Sequence, residues 1–197
     1  DAHPNSARTY YRRQLMDTVL SMSSIHQNSE VVEIGCGTGL MLREILEYTD
    51  RVFGVDIAED MLLRVADSTL PDKRVVIVDD FSHVATHQNA EIMLMLGRFE
   101  TLNLPQNYYD RLVSVEVLRY IDDIDTCFEN CRAIMKEDSL FIFSITNFWS
   151  SSLFPIRHSL RKRMGLIDPQ EELLQHFVSE KALRKKLLKA GFDVVGF

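Results

Sequence analysis

Glu33 and the loop at residues 35–39 are the part of this sequence best suited to chemistry. The loop reads Gly-Cys-Gly-Thr-Gly, with glycine at every second position, and it follows an apolar run at residues 31–34. Alternate glycines allow a sharp turn without Cβ atoms, so a ligand can lie directly against the backbone at the start of a helix. A carboxylate inside a strand is costly unless a cation or hydrogen-bond donors meet it. The segment therefore predicts a binding loop for a small ligand with a positively charged end.

A second acid, Asp56, narrows the choice of ligand. It follows the next apolar run and lies 17 residues beyond Gly39. That spacing is near the roughly 20 residues at which a carboxylate at the end of the second strand reaches ribose hydroxyls. The dinucleotide pattern G-x-G-x-x-G requires a small residue where this chain has Leu40. A nucleoside ligand is therefore predicted, and a nicotinamide oxidoreductase is disfavoured.

Alternating strand and helix patterns surround these residues. Apolar runs predict strands at residues 31–35, 51–57, 110–117 and 140–146. Amphipathic patterns predict helices at residues 6–25, 39–48, 59–68, 122–135 and 179–190. Gly191 is expected to end the last helix, and residues 192–197 to begin a further strand. This alternation predicts an α/β fold with a doubly wound, mainly parallel sheet.

The chain resembles the class I S-adenosylmethionine-dependent methyltransferases. The matching segments are EIGCGTG at 33–39, VDIAEDML at 55–62, NYYDRLVSVEVLRYI at 107–121 and SEKALRKKLLKAGFDVV at 179–195. The resemblance implies a Rossmann-like methyltransferase fold, S-adenosylmethionine as cofactor and S-adenosylhomocysteine as product. It also implies methyl transfer to a small-molecule acceptor. The alternative is a non-catalytic cofactor-binding or scaffold protein of the same fold.

The resemblance also implies which residues contact the cofactor. The backbone of the loop, together with Glu33, would surround the methionine end, and the loop residues are Gly35, Cys36, Gly37, Thr38 and Gly39. Asp56 would accept the ribose hydroxyls, and Ile57 and Met61 would flank the adenine.

Two apolar runs compete to be the third strand, residues 75–80 and residues 92–97. In relatives this strand ends in an acid that meets the adenine amino group, and Asp80 stands at a plausible distance from the preceding acid. The segment after the second run matches the family better, although Arg98 then replaces the acid. We favour the second run, which leaves Phe99 and backbone groups to hold the adenine.

Glu116 and Tyr120 are the candidates for contact with the acceptor. Both follow the strand after the point where the strand order reverses, and ligands of open α/β sheets bind there. Relatives often have histidine at the position of Tyr120. A phenol with an ordinary pKa of about 10 is a poor base at neutral pH. Tyr120 is thus expected to bind or pack, with direct catalysis as the alternative, and Glu116 to touch the cofactor or hold the following helix.

Length and composition predict one domain. The 197 residues are 46% hydrophobic and 26% charged, as in ordinary globular proteins. Within residues 1–197 we expect an N-terminal helical cap at 1–28 and a lid insertion at 148–176. No signal peptide or stretch long enough to span a membrane is found. Three cysteines that make no disulfide framework fit a reducing compartment, so a cytoplasmic protein is predicted. The first residue is not Met and the family's last antiparallel strand has no counterpart before residue 197, so truncation at either end stays open.

The three cysteines and the charge distribution argue against a disulfide-rich protein, a metal site and a nucleic-acid binder. Three cysteines do not make a disulfide framework and are expected to be packing residues, and no metal site is predicted. Residues 1–147 carry 13 Lys and Arg against 24 Asp and Glu, which argues against a nucleic-acid binder. Residues 148–166 instead combine large apolar residues with four Lys and Arg. They predict either a solvated lid helix or a lid that recognises an anionic or lipid- or glycan-linked substrate or makes peripheral membrane contact.

Overall fold

The structure of the protein is a computed structural model that describes residues 7–68, 75–78, 81, 92–147, 159–161, 163–165 and 178–196. The chain divides into two compact units. The first contains residues 1–115 and 133–143, and the second contains residues 116–132 and 144–197. The expected single domain with an N-terminal cap and a lid stays a prediction.

A parallel sheet of six strands forms the first unit. The strands are β1 (Val31–Ile34), β2 (Val52–Asp56), β3 (Val75–Val78), β4 (Ile92–Leu96), β5 (Tyr109–Ser114) and β6 (Met135–Phe143). Their order is β3-β4-β2-β1-β5-β6, and every pair is parallel. Strands β2, β3 and β4 thus lie on one side of β1, with β3 at the edge, and β5 and β6 lie on the other side. This arrangement confirms the predicted α/β fold and places the reversal of strand order between β1 and β5.

Five α-helices have both of their ends among the described residues. They are α1 (Ala7–Ser23), α2 (Leu40–Leu46), α3 (Glu59–Ser68), α4 (Ile124–Ile134) and α5 (Glu180–Lys189). Helix α5 begins at an N-cap, since the Ser179 hydroxyl accepts a hydrogen bond from the Ala182 N–H. It ends where predicted, because Gly191 follows with a φ of +87°.

Helices α1, α2 and α3 share one apolar core with the sheet. Every residue of β1 is buried, as expected of a parallel strand covered on both faces. The core includes Val19, Val31, Leu42, Ile45, Val52, Leu62, Val65, Leu94 and Val113. Aromatic rings form a separate cluster, in which the Phe53 centroid lies 5.6 Å from that of Phe81 and 6.3 Å from that of Tyr109.

Both candidate runs for the third strand form strands. The second run, as β4, pairs along its whole length with β2, from Val52 opposite Ile92 to Asp56 opposite Leu96. The first run, as β3, pairs with the other side of β4. The favoured interpretation of the second run is therefore confirmed, and β3 adds a strand outside it.

Two predicted boundaries are wrong at the end of the sheet. Strand β6 begins at Met135 rather than at residue 140, and its register with β5 shifts between Tyr109 and Arg111. Polar residues at 136–139 hid this extension, because an irregular strand need not alternate. Residues 192–196 form no strand, and Val195 is 87% exposed. An apolar pattern describes a half-buried sheet position, and without a paired neighbour it does not produce a strand.

Helix α1 is anchored at the amino-terminal edge of the sheet. Arg111, which pairs with the first residue of β1, donates from Nε to the Ser23 carbonyl at 2.6 Å. The helix has 17 residues, so it extends about 25 Å from that anchor. Its predicted role as part of an N-terminal helical cap stays a prediction.

Candidate functional site

The glycine loop leaves β1 through three left-handed backbone positions. Gly35, Gly37 and Gly39 have φ values of +73°, +52° and +74°. The N–H groups of Gly35 and Cys36 both donate to the Val55 carbonyl, at 2.7 and 3.1 Å. These bonds fasten the loop to the end of β2. The predicted sharp turn is therefore present, and it leads directly into α2.

Two of the glycines serve different purposes. A Cβ added at Gly39 would lie 3.1 Å from both methyl groups of Val65, so this glycine lets α2 approach α3 closely. A Cβ added at Gly37 would meet nothing within 4 Å. The backbone at Gly37 thus faces open space at the start of a helix, as a ligand bound against the main chain requires. We call this opening in the loop at residues 35–39 the glycine cradle.

Asp56 joins this loop to the next helix. Its Oδ2 accepts a hydrogen bond from the Gly37 N–H at 2.7 Å, and its Oδ1 accepts from the Ala58 N–H at 2.9 Å. The carboxylate is thereby fixed at the end of β2, immediately before α3. Each oxygen retains a further lone pair, so the group can also accept from ribose hydroxyls.

Glu33 is buried beneath the loop, with an exposed fraction of 3%. Its Oε2 is buried without a hydrogen-bond partner, although the Leu42 N–H bonds the carboxylate. Burial raises the pKa of Glu33 well above its ordinary value, and the nearby charge of Asp56 raises it further, while the Leu42 bond acts in the opposite direction. An unpartnered carboxyl oxygen next to a second acid can accept a hydrogen bond from a ligand ammonium group, whose charge would favour the ionised form.

Gly54 supports the same region and was missed by the sequence analysis. A Cβ at this position of β2 would lie 2.8 Å from Leu94 Cδ2 and 3.0 Å from Cys36 Sγ. The Cys36 side chain is buried under the loop, and burial raises the pKa of its thiol. Only the absence of a side chain at Gly54 lets the loop, β2 and β4 pack together. A glycine within an apolar run was the available signal.

The residues predicted to hold the adenine differ in how open they are. Ile57 is 67% exposed directly after β2, and Met61 lies half-buried on the second turn of α3. Phe99 is only 3% exposed, so its side chain packs inside the protein. Arg98 forms an ion pair with Glu100 at 3.5 Å. The adenine contacts of these residues stay predictions, and Asp80 lies outside the described residues.

Glu116 and Tyr120 belong to the second unit, where a third residue links them. Arg119 donates from Nη2 to Glu116 Oε2 at 3.1 Å, and its guanidinium carbon lies 4.9 Å from the centroid of the Tyr120 ring. Glu116 has a φ of +64°, an uncommon value for a residue with a Cβ. Arg119 lies in the segment that resembles the methyltransferases but was not among the predicted site residues. The i, i+3 spacing of opposite charges in the segment was the signal.

The proposed lid is only partly described. Its residues 159–161 and 163–165 include Leu160 and Met164, which are 54% and 68% exposed. Residues 148–158, 162 and 166 of the predicted membrane-contacting segment lie outside the described residues. Among the helices that the structure describes, none combines the length and apolarity needed to cross a membrane.

Comparison with known proteins decides the family. A family model for a methyltransferase domain matches residues 7–196. The chain belongs to this methyltransferase family. Membership supports S-adenosylmethionine as the cofactor, and the residues of the glycine cradle fit that group. The unpartnered oxygen of Glu33 can accept from its ammonium group, Asp56 can accept from its ribose, and the space at Gly37 admits it to the backbone.

Two curated proteins of different name are similar to this chain. The chain is 28% identical over 160 residues to malonyl-[acyl-carrier protein] O-methyltransferase 2 of Ilyobacter polytropus, which covers 80% of the chain and 52% of the relative. It is 24% identical over 169 residues to the mitochondrial arginine-hydroxylase NDUFAF5 of Rattus norvegicus, covering 83% and 42%. The chain therefore spans about half the length of these relatives.

Solved structures agree on the fold. One is the methyltransferase bound to the Trm112 methyltransferase activator of Haloferax volcanii, with a TM-score of 0.71, 18% identity and coverage of 96% of this chain and 73% of that one. Another is an S-adenosylmethionine-dependent methyltransferase of Mesorhizobium loti, with a TM-score of 0.65, 18% identity and coverage of 91% and 81%.

Proposed function

We propose that this chain transfers the methyl group of S-adenosylmethionine to a small-molecule acceptor that is anionic or linked to a lipid or glycan. The observation that carries the proposal is the buried, unpartnered Oε2 of Glu33 beneath a left-handed glycine loop. A protein that bound nothing there would leave a buried polar atom unsatisfied without compensation.

The chain's own contribution is alignment. S-adenosylmethionine, when bound, supplies a methyl group already activated on a positively charged sulfur, so the protein has to orient the reactants and exclude water. Glu33 would hold the ammonium end. Asp56 would hold the ribose while remaining bonded to Gly37 and Ala58. The cofactor would thus be fixed at two points by groups that β1 and β2 already position.

Glu116 and Tyr120 are proposed to contact the acceptor. They follow β5 in the chain, and β5 neighbours β1 at the reversal of strand order. In an open α/β sheet, substrate reaches the crevice beyond these strand ends. Tyr120 would donate or accept a hydrogen bond, and Glu116 would take the acceptor proton or orient it.

The acceptor class is inferred from two features. The relative from Ilyobacter polytropus is named for methylation of a malonyl group on an acyl-carrier protein, which is a carrier-linked acid. In this chain, residues 148–166 place four Lys and Arg among large apolar residues, and Leu160 and Met164 are exposed. Both features suit an acceptor with a negative charge and an apolar part.

Calorimetry tests the cofactor, and product formation tests the reaction. We expect S-adenosylmethionine and S-adenosylhomocysteine to bind and NADH not to bind. A panel of carboxylate, phenol and amine acceptors, free and lipid-linked, should then yield S-adenosylhomocysteine with at least one member. Absence of heat with both sulfur nucleosides would remove the proposal.

A non-catalytic cofactor-binding protein is the second candidate. The relative named as an arginine-hydroxylase indicates that this family includes proteins whose names do not describe methyl transfer. Arg98 also stands where methyltransferases of this class often have an acid. Tight binding of S-adenosylhomocysteine, together with no turnover across the acceptor panel, would favour this candidate.

A further inference from the structure

Arg119 is the centre of a compact polar cluster in the second unit. Its Nη1 donates to Thr146 Oγ1 at 3.3 Å and its Nη2 to Glu116 Oε2 at 3.1 Å, while the ring of Tyr120 lies against the guanidinium. Ser144 Oγ accepts the Glu116 N–H at 2.6 Å. The guanidinium is therefore held in one orientation by neighbours from two separate chain segments.

One donor of this fixed cation has no acceptor. The Nε of Arg119 is buried and makes no hydrogen bond, and the side chain as a whole is 22% exposed. A buried N–H without an acceptor costs about 1–3 kcal/mol. The hydroxyls of Thr146 and Ser144 act as acceptors in the bonds above, so each retains its own proton for donation. The cluster thus offers an N–H and two O–H donors to an oxygen-bearing group.

Among the described residues, Glu116 is the acid that bonds Arg119, and it is held under backbone strain. Glu116 adopts a φ of +64°, and its side chain is 42% exposed. A left-handed conformation at a residue with a Cβ costs on the order of 1 kcal/mol and persists where surrounding bonds impose it. A partly exposed ion pair contributes little stability of its own. A ligand anion can therefore replace the Glu116 carboxylate at small cost.

The geometry points to an oxyanion subsite at Arg119 that binds the carboxylate or phosphate of the methyl acceptor. Arg119 would present Nε and Nη2 to two ligand oxygens, because guanidinium and oxyanion match in a paired geometry. The Glu116 carboxylate would remain bonded to Arg119 until the acceptor binds, and the anionic group of the acceptor would then displace it. This inference rests on the proposed function for the identity of the ligand as an acceptor.

The test uses the full chain saturated with S-adenosylhomocysteine and observes the arginine Nε–H resonances by NMR. Absence of one resonance in Arg119→Lys identifies the peak of Arg119. Propionate, inorganic phosphate and the neutral amide propionamide are titrated at constant ionic strength. We expect a saturable shift of the Arg119 peak with propionate or phosphate and none with propionamide. The stronger of the two anions then identifies the group recognised.

Calorimetric affinities for the stronger anion complete the test. We expect about tenfold weaker binding in Arg119→Lys, because lysine lacks the paired donors, and about fivefold tighter binding in Glu116→Gln, because the competing charge is gone. Arg184→Lys, at an exposed arginine of α5, is the matched control and should behave as wild type. A stationary Arg119 peak, an equal response to propionamide, or unchanged affinities in both Arg119→Lys and Glu116→Gln would overturn the subsite. If the wild-type chain does not bind S-adenosylhomocysteine, the proposed function is refuted instead.

Discussion

Glu33 in β1 and Asp56 in β2 lie on neighbouring strands beside the glycine cradle, and the two acids differ in their hydrogen bonding. Asp56 is satisfied by two backbone N–H groups, whereas Glu33 keeps one buried oxygen without a partner. Burial therefore favours the protonated form of Glu33, and a bound ammonium would favour the ionised form. We therefore expect ligand binding and ionisation of Glu33 to be coupled.

Glu33→Gln should weaken binding of S-adenosylhomocysteine by about 10- to 100-fold. The variant loses a charge-assisted hydrogen bond, which contributes about 1.5–3 kcal/mol. Calorimetry in buffers with different heats of ionisation should also show that wild type releases a proton on binding and the variant does not. Glu47→Gln, at an exposed acid after α2, is the control. Equal affinities of wild type and Glu33→Gln would contradict the assignment.

The raised pKa of Glu33 also predicts that the stability of the wild-type protein relative to Glu33→Gln depends on pH. The raised pKa means that folded Glu33 retains a proton that the unfolded chain releases near its ordinary pKa of about 4.3. Wild-type stability therefore falls as pH rises from that value towards the raised one. The Tm of Glu33→Gln relative to wild type should increase by a few degrees between about pH 4 and pH 8. A constant Tm difference across this range would show that Glu33 is not perturbed.

Gly37→Ala separates backbone strain from loss of the cradle. A Cβ at φ +52° costs about 1 kcal/mol, and here it also projects into the open space of the loop. Gly165 has φ +67° and equally open surroundings, so Gly165→Ala carries the strain without the cradle. We expect both variants to lose a few degrees of Tm and only Gly37→Ala to lose affinity for S-adenosylhomocysteine. Equal affinities in the two variants would place the ligand elsewhere.

At the scale of elements, the site depends on how closely β2 approaches its neighbours. Gly54→Ala would drive a methyl group to 2.8 Å from Leu94 in β4 and 3.0 Å from Cys36 under the loop. Overpacking of this kind costs about 1–3 kcal/mol, which lowers the Tm by several degrees in a chain of this size. Thermal unfolding against Gly196→Ala, whose added Cβ meets nothing within 4 Å, measures the effect. A Tm loss no larger than in that control would refute it.

The sequence predicted those elements whose pattern is local. The loop at residues 35–39 was recognised because only glycine tolerates repeated left-handed turns, and α3 was placed at its observed bounds. Residues 75–80 and 92–97 remained ambiguous, because an apolar run does not reveal its neighbour in a sheet. Arg119 was missed because its bond to Thr146 joins residues 27 apart. Pairing between distant segments, rather than propensity, is what the sequence alone did not supply.

At the scale of the whole molecule, charge and apolar exposure are distributed unequally. Residues 1–147 carry 11 more acids than bases, and residues 148–197 carry four more bases than acids. Leu160 and Met164 lie one helical turn apart in the basic part, joined by the Met164 N–H to the Leu160 carbonyl at 3.0 Å. A basic segment with exposed apolar side chains favours the surface of an anionic membrane.

Leu160→Ser combined with Met164→Ser should reduce binding to vesicles of anionic phospholipid by about tenfold or more. Burial of each side chain contributes about 1.5–3 kcal/mol when complete, and only part of it is expected at a membrane surface. Co-sedimentation with anionic and neutral vesicles provides the measurement. Leu188→Ser, at a 54% exposed leucine of α5, is the control. Undiminished sedimentation of the double variant would exclude this membrane contact.

Chemical labelling of the buried Cys36 thiol would measure how often the glycine loop separates from β2. All three cysteines, Cys36, Cys127 and Cys131, are buried. Burial also raises the pKa of the Cys36 thiol. Alkylating reagents can therefore attack Cys36 only after the loop separates from β2. Loss of activity after treatment with such a reagent would therefore report transient unfolding and not a cysteine in the chemistry. The rate of labelling at Cys36, compared with that at the other two, would show how firmly an occupied cradle holds the loop shut.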